Sequence, residues 1–167
     1  MSTSAESIGA EQKRELLRHT LATLAYRGGK AVRGVTAEFA EFRAAETTRT
    51  PGQILAHVGD LMDWALSMAK GKEEWHNSPA VAWEEGVKRF HAGTQALDDY
   101  LASAQELAVT AERLFQGAIA DALTHVGQIN LLRRMAGCSV KGENYSRADI
   151  VAGRVGAEQT PPKREFD

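Results

Sequence analysis

Apolar residues recur at helical spacing in four stretches of this chain, while the strict alternation expected of half-buried strands is almost absent. Leu17, Leu21 and Leu24 share one side of a helix predicted over about residues 10 to 27, and Gly28-Gly29 reads as its stop. The second helix carries the clearest start. Thr50 and Gln53 stand at capping-box spacing, with Pro51 at the first helical position. Ile54, Val58, Leu61, Ala65 and Met68 form its apolar stripe, and Gly71 lies just past its end. The third helix begins near Ser78-Pro79 and repeats Trp83, Val87, Phe90, Thr94, Leu97 and Leu101 in steps of four and three, the spacing of a bundle seam. The fourth covers about residues 118 to 136, with Gly137 as its C-terminal cap.

The connections hold shorter elements. Thr36 starts a short helix carrying Phe39 and Phe42, one turn of helix surrounds Leu114, and Ser146 with Asp149 caps a last short piece. The expected fold class is therefore all-α: a four-helix bundle with short extra helices in the connections and no sheet. Residues 1–9 read as a disordered N-terminal arm, 10–155 as the bundle, and 156–167 as a loose C-terminal tail.

Composition narrows the function classes. The 167 residues are 43% hydrophobic, enough to build one core. Twenty Lys and Arg against 22 Asp and Glu, with 7% aromatics, leave no electrostatic or stacking footprint for nucleic acid. No stretch approaches the roughly 20 apolar residues of a membrane span, and the N-terminus lacks the pattern of a secretory signal. Cys138 is the single cysteine, so no disulfide can form within the chain and a cytoplasmic setting is expected. It follows a helix C-terminus, where the dipole disfavours a thiolate, and reads as a packing residue. There is no phosphate-binding loop and no nucleophile elbow.

One polar strip resists a purely structural reading. In "DALTHVGQINLLRRMAG", Asp121 and His125 lie about 40° apart around the helix, with Gln128 about 20° to the other side of Asp121. Side chains four apart can share one cation. His57 leans toward the apolar side of its own helix, near Leu61, Trp64 and Met68, and bundle metal sites combine ligands from facing helices in this way. Ordinary roles fit the same residues. Asp121 suits the first turn of a helix, His125 suits a core histidine bonded to a carbonyl, and His57 suits the edge of an apolar stripe. Spacing leaves both readings open. His19, His76 and His91 have no partner at ligand spacing.

The segments "TRTPGQILAHVGDLMDWAL" and, roughly sixty residues on, "DALTHVGQINLLRRMAGCSVKGENY" together resemble the DinB/YfiT-like superfamily of bacterial four-helix metalloproteins. The resemblance runs through about residues 10 to 155 and is strongest in those two segments. It implies a divalent metal held by one histidine on the second helix and an H-x-x-x-H pair on the fourth. His57 takes the place of the first and His125 ends the pair, while Asp121 stands where the family commonly has histidine. Carboxylate is a competent ligand for zinc, nickel, iron or manganese, but two histidines and one carboxylate leave the centre less positive than three histidines do.

The resemblance further implies a metal-dependent enzyme of the low-molecular-weight-thiol transferase or isomerase type, acting on a small-molecule substrate with a thiol cofactor. Zinc or nickel is the expected ion, with iron or manganese as alternatives. Gln128, Asn144 and Tyr145 are candidate second contacts to the ligands or substrate. A homodimer is expected, as relatives often pair through their helices. The other reading is a non-catalytic dimeric binding module whose metal is structural or absent.

Overall fold

Four helical rods lie side by side in the computed structural model, which describes residues 2–166 and the side chains of residues 8–166. They are α1 (Ser2–Val32), α2 (Pro51–Ala69), α3 (Trp83–Ala102), and a composite rod of α4 (Ala111–Leu114), a π-helical turn (Phe115–Ile119) and α5 (Ala120–Met135). Helix α2 packs on α3 and α5, and α1 packs on the same two, so α1 and α2 are diagonal. Residues 33–50 cross between them, seated by Phe39 and Ala40 of a 3-10 turn, Ala37–Glu41, that starts after Thr36 as expected.

Helix α2 forms as its sequence dictates. The Thr50 hydroxyl accepts the Gln53 amide hydrogen at 3.2 Å, and the Gln53 side chain accepts the Thr50 amide at 2.9 Å, closing the capping box. Ile54, Val58, Leu61, Ala65 and Met68 are all buried. On α3, Trp83, Phe90, Thr94, Leu97 and Leu101 are buried and Val87 packs at the core edge. Leu17, Leu21 and Leu24 bury the facing side of α1. Cys138 packs partly buried against this core. No helix among the described residues is long and apolar enough to cross a membrane.

Helix boundaries depart from expectation where tertiary contacts intervene. Helix α1 begins at Ser2, taking in residues 2–9 that read as an arm, and runs through Gly28-Gly29. A Cβ on Gly28 would stand 2.6 Å from the Phe90 ring, so this glycine gives α3 a seat rather than ending the helix. The end comes at Val32, where buried donors take the last carbonyls. Arg133 donates to Ala31 and Arg33 at 2.8 and 2.7 Å, and the Trp83 indole donates to Val32 at 3.1 Å. Gly34, with φ +65, turns the chain away.

Pro79 is not inside a helix start. Ser78 gives both its amide hydrogen and its hydroxyl hydrogen to the Asp60 carboxylate, at 2.9 and 2.7 Å, which ties the non-helical stretch 72–82 to α2 until α3 begins at Trp83. The last rod starts earlier than residue 118. Thr110 caps it, accepting the Arg113 amide hydrogen, and the π turn follows. Leu114 and Ile119 are both fully buried, yet five residues apart they would diverge by about 140° on an α-helix. The wider π turn brings them to one side.

The C-terminal segment is docked rather than loose. Val155 is fully buried and its carbonyl meets His91 Nδ1 at 3.2 Å. Strand β1 (Gly142–Glu143) pairs antiparallel with β2 (Glu165–Phe166), a two-residue ribbon where no sheet was expected. Lys30 explains the docking: its ammonium bonds Glu143 at 2.9 Å and Glu165 at 2.7 Å, and Tyr26 donates to Glu143 at 2.6 Å. Between these segments, the short turn Tyr145–Arg147 is capped by Asn144, not by Ser146 or Asp149. The Asn144 side-chain oxygen accepts the Ser146 amide and hydroxyl hydrogens at 3.2 and 2.6 Å.

Two glycine substitutions test this packing with opposite signs. Gly127 lies in α5 with open space around it, so Gly127→Ala gains helix propensity and raises stability by about 0.5–1 kcal/mol. Gly28→Ala gains the same propensity but collides with Phe90, and a net loss of about 1–3 kcal/mol is expected. Urea midpoints of the two variants check both; equal shifts would remove the Phe90 seat from the account.

Candidate metal centre

Helix α2 presents His57 one turn after Ile54, and α5 presents Asp121 and His125 one turn apart. The packing of α2 against α5 brings the three together. Each offers one ligand atom, and the three atoms lie within 4.8 Å of one another, the one such group of metal-ligating side chains among the described residues. Asp121 Oδ2 stands 3.5 Å from both His57 Nε2 and His125 Nε2. That is long for a direct hydrogen bond. It matches two donors sharing a tetrahedral ion: bonds of about 2.1 Å place ligand atoms about 3.4 Å apart. The residues present thus fit a divalent cation.

The supporting contacts point the same way. His125 Nδ1 meets the Gln128 side-chain oxygen at 2.8 Å. Donation of the Nδ1 hydrogen to that oxygen fixes the ring and leaves the Nε2 lone pair facing Asp121, the arrangement that orients a metal-binding imidazole. The imidazoles stand nearly perpendicular, centroids 4.7 Å apart. Trp75 lies edge-on to His57 at 5.5 Å and to Trp64 at 5.7 Å, making an aromatic wall on one side.

The helix-start role for Asp121 loses its basis in this geometry. Helical backbone already runs from Ala111 to Ala120 ahead of it, so the free end of the rod, with its partial positive charge, is at Thr110. The core-histidine role for His125 fares no better, because its ring nitrogen meets the Gln128 side chain rather than a backbone carbonyl. His91 does play that role, bonded to Val155.

Burial is uneven across the group, which leaves room for a further ligand. The His125 side chain is 11% exposed, whereas the Asp121 side chain is 46% exposed. His57 also lines a cleft of about 360 Å³, bounded by the start of α2 and the strap after it. A larger cavity of about 900 Å³ lies at the far end, between the start of α1 and the segment after α3. It contains none of the three ligands. Its main cation, Arg14, is spent on the carbonyls of Leu101 and Ser103.

Burial pushes the His57 pKa down, the unfavourable cost of a second imidazolium beside His125 adds to this, and the Asp121 carboxylate opposes it. His57 therefore stays neutral, with a lone pair to give, at near-neutral pH.

Of the other candidates, Gln128 reaches the group and Asn144 and Tyr145 are engaged elsewhere. Asn144 caps its own turn, and the Tyr145 ring packs on Tyr26 and under the Arg27 guanidinium of α1. Sequence reasoning did not single out Trp75, Arg49 or Gln53 as neighbours of the site. They lie in or beside connections, where no periodicity assigns a direction. No family model, curated protein or solved structure matches the chain.

Zinc titration calorimetry tests the ligand set. His57→Ala and His125→Ala are expected to remove most affinity, Gln128→Ala to weaken it about 10- to 100-fold, and Asp121→His to retain it. Unchanged affinity in Asp121→Ala would take Asp121 out of the set.

A second test concerns protons. In the metal-free protein, His57 is expected to titrate below the ordinary histidine value of about 6.5. As pH falls through that window the unfolded chain protonates first, so His57 withdraws stability on acidification. Proton NMR of the imidazole reads the value directly. His125→Asn should move it upward without restoring it, because burial is the larger cause; a value above 6.5 in the parent protein contradicts the account.

Proposed function

We propose that this protein is a DinB-like metalloenzyme that uses a divalent ion on His57, Asp121 and His125 to act on a small molecule with a low-molecular-weight thiol. The observation that carries the reading is the convergence of three donor atoms from two helices beside an open cleft. One histidine on α2 and a pair four apart on α5 follow the ligand order of the family that the sequence resembles. With two neutral imidazoles and one carboxylate the centre keeps a net charge of +1. Zinc or nickel is the preferred ion, and iron or manganese the alternatives that this ligand type admits.

The ion would supply Lewis acidity, holding a thiol as thiolate near neutral pH. The chain's own residues do the rest. Gln128 sets the His125 tautomer, and the exposed side of Asp121 leaves approach open. Trp75, backed by Trp64, packs edge-on against one flank of His57. We extend the proposal to a homodimer: Leu131 and Met135 stand exposed one turn apart on α5, an apolar surface suited to a second copy.

Elemental analysis of purified protein should find one zinc or nickel ion per chain. The loaded protein should conjugate a low-molecular-weight thiol to an electrophile such as 1-chloro-2,4-dinitrobenzene, with His125→Ala lowering kcat/KM by about 100-fold or more. Iron in place of zinc points to oxygen chemistry. Absence of both metal and thiol-dependent turnover favours a non-catalytic binding module. Light scattering reads the mass, and a single-chain mass at micromolar concentration would end the dimer proposal.

A further inference from the structure

The cleft beside His57 has a one-sided hydrogen-bonding chemistry. Six of its lining side chains are polar: Arg49, Gln53, His57, Asp60, Asn77 and Ser78. Their anionic and amide acceptors are already occupied. The Gln53 side-chain oxygen holds the Thr50 amide in the capping box, and the Asn77 side-chain oxygen holds the Trp75 indole hydrogen at 3.1 Å. Asp60 is almost fully buried and accepts three hydrogen bonds, two from Ser78 and one from Arg89 at 2.6 Å, which engages both of its oxygens.

What remains unclaimed is a set of donors. The amide NH₂ groups of Gln53 and Asn77 have given their oxygens away and keep their hydrogens for a visitor. Arg89 is held by Asp60 and Asp63, whereas Arg49 has no ion-pair partner among the described residues. The free side-chain acceptors are neutral: the Ser78 oxygen, whose hydrogen goes to Asp60, and the His57 imidazole nitrogen that faces the candidate metal centre. One unpaired cation and two amide donors, with Asp60 as the only carboxylate of the lining and already hydrogen-bonded, make the Arg49 side of the cleft complementary to negative charge.

We infer that the cleft bounded by Arg49, Gln53 and Asn77 is a subsite for the carboxylate of a small organic acid whose other end lies over His57. A guanidinium takes a planar carboxylate through two parallel N–H···O bonds, and the amide donors can share its remaining lone pairs. The volume of about 360 Å³ suits a small acid. Arg49 immediately precedes the Thr50 cap, so the capping box that starts α2 also anchors the backbone carrying the guanidinium. Asp60, three residues beyond His57, ties the opposite wall down through Ser78. This inference rests on the proposed function for where the reacting end lies, but the carboxylate contact itself needs no metal.

The test is an NMR titration of the metal-free protein with butyrate, using butyramide as the neutral isostere and inorganic phosphate as the other oxyanion. Butyrate is expected to shift the side-chain amide signals of Gln53 and Asn77 and the Arg49 Nε–H, and butyramide is not. Arg49→Gln should weaken butyrate binding about tenfold or more, the loss expected for a charged hydrogen-bonding partner. Arg134→Gln, the same charge change outside the cleft, should leave it intact. Equal binding of butyramide, phosphate binding without butyrate, or an unaffected Arg49→Gln variant would each overturn the inference. A separate zinc titration distinguishes the two claims. Lost metal affinity with Arg49-dependent butyrate binding sinks the proposed function alone, and the converse sinks the carboxylate subsite alone.

Discussion

A guanidinium buried among helices must find acceptors, and Arg133 finds them on the backbone at the ends of two helices at once. It donates to the Ala31 and Arg33 carbonyls at the end of α1, and through Nε to the Cys138 carbonyl just past α5. Both helix ends carry partial negative charge, so a single cation serves both dipoles. Burial lowers its pKa, as it must for a charge taken out of water, but guanidinium remains protonated. The consequence is geometric. The end of α5 is pinned to the end of α1, and the α5 residues facing α2, Asp121 and His125 among them, are placed by that pin and by the core beneath them.

Asp60 is the anionic counterpart on the other side. It is buried on α2 one turn from His57, and its oxygens are shared between the Ser78 strap and Arg89 of α3. Removing either partner would leave charge in a place that water cannot reach, which is why such ties are costly to break. The strap then forms a wall instead of a free loop. Candidate ligands and candidate cleft share this wall because His57 and Asp60 occupy successive turns of one helix.

The π turn connects these two features. An unbroken α-helix could not bury both Leu114 and Ile119 on one side. The wider turn absorbs the mismatch before α5 presents Asp121, and its Gly117 lies beside the aromatic wall, where a Cβ would stand 3.6 Å from the Trp64 ring. Irregular turns of this kind often stand beside functional groups because they re-aim a helix face without ending the helix.

Local physics was legible in the sequence wherever a signal was complete within one or two turns. The α2 capping box, the apolar stripes of α2 and α3, the Leu17, Leu21 and Leu24 face, and the four-residue spacing of Asp121 and His125 needed only neighbours in the chain. Whatever depended on a distant partner was not legible. Gly28-Gly29 read as a stop because glycine is a poor helix former, and Phe90 turned one of the pair into a packing notch. Pro79 read as a helix start until Asp60 claimed the serine before it. The tail read as loose because nothing near it announces Lys30. The meeting of His57 with Asp121 and His125 belongs to the same class. Periodicity gives each side chain a direction on its own helix, but only the packing of α2 against α5 sets the distance between them.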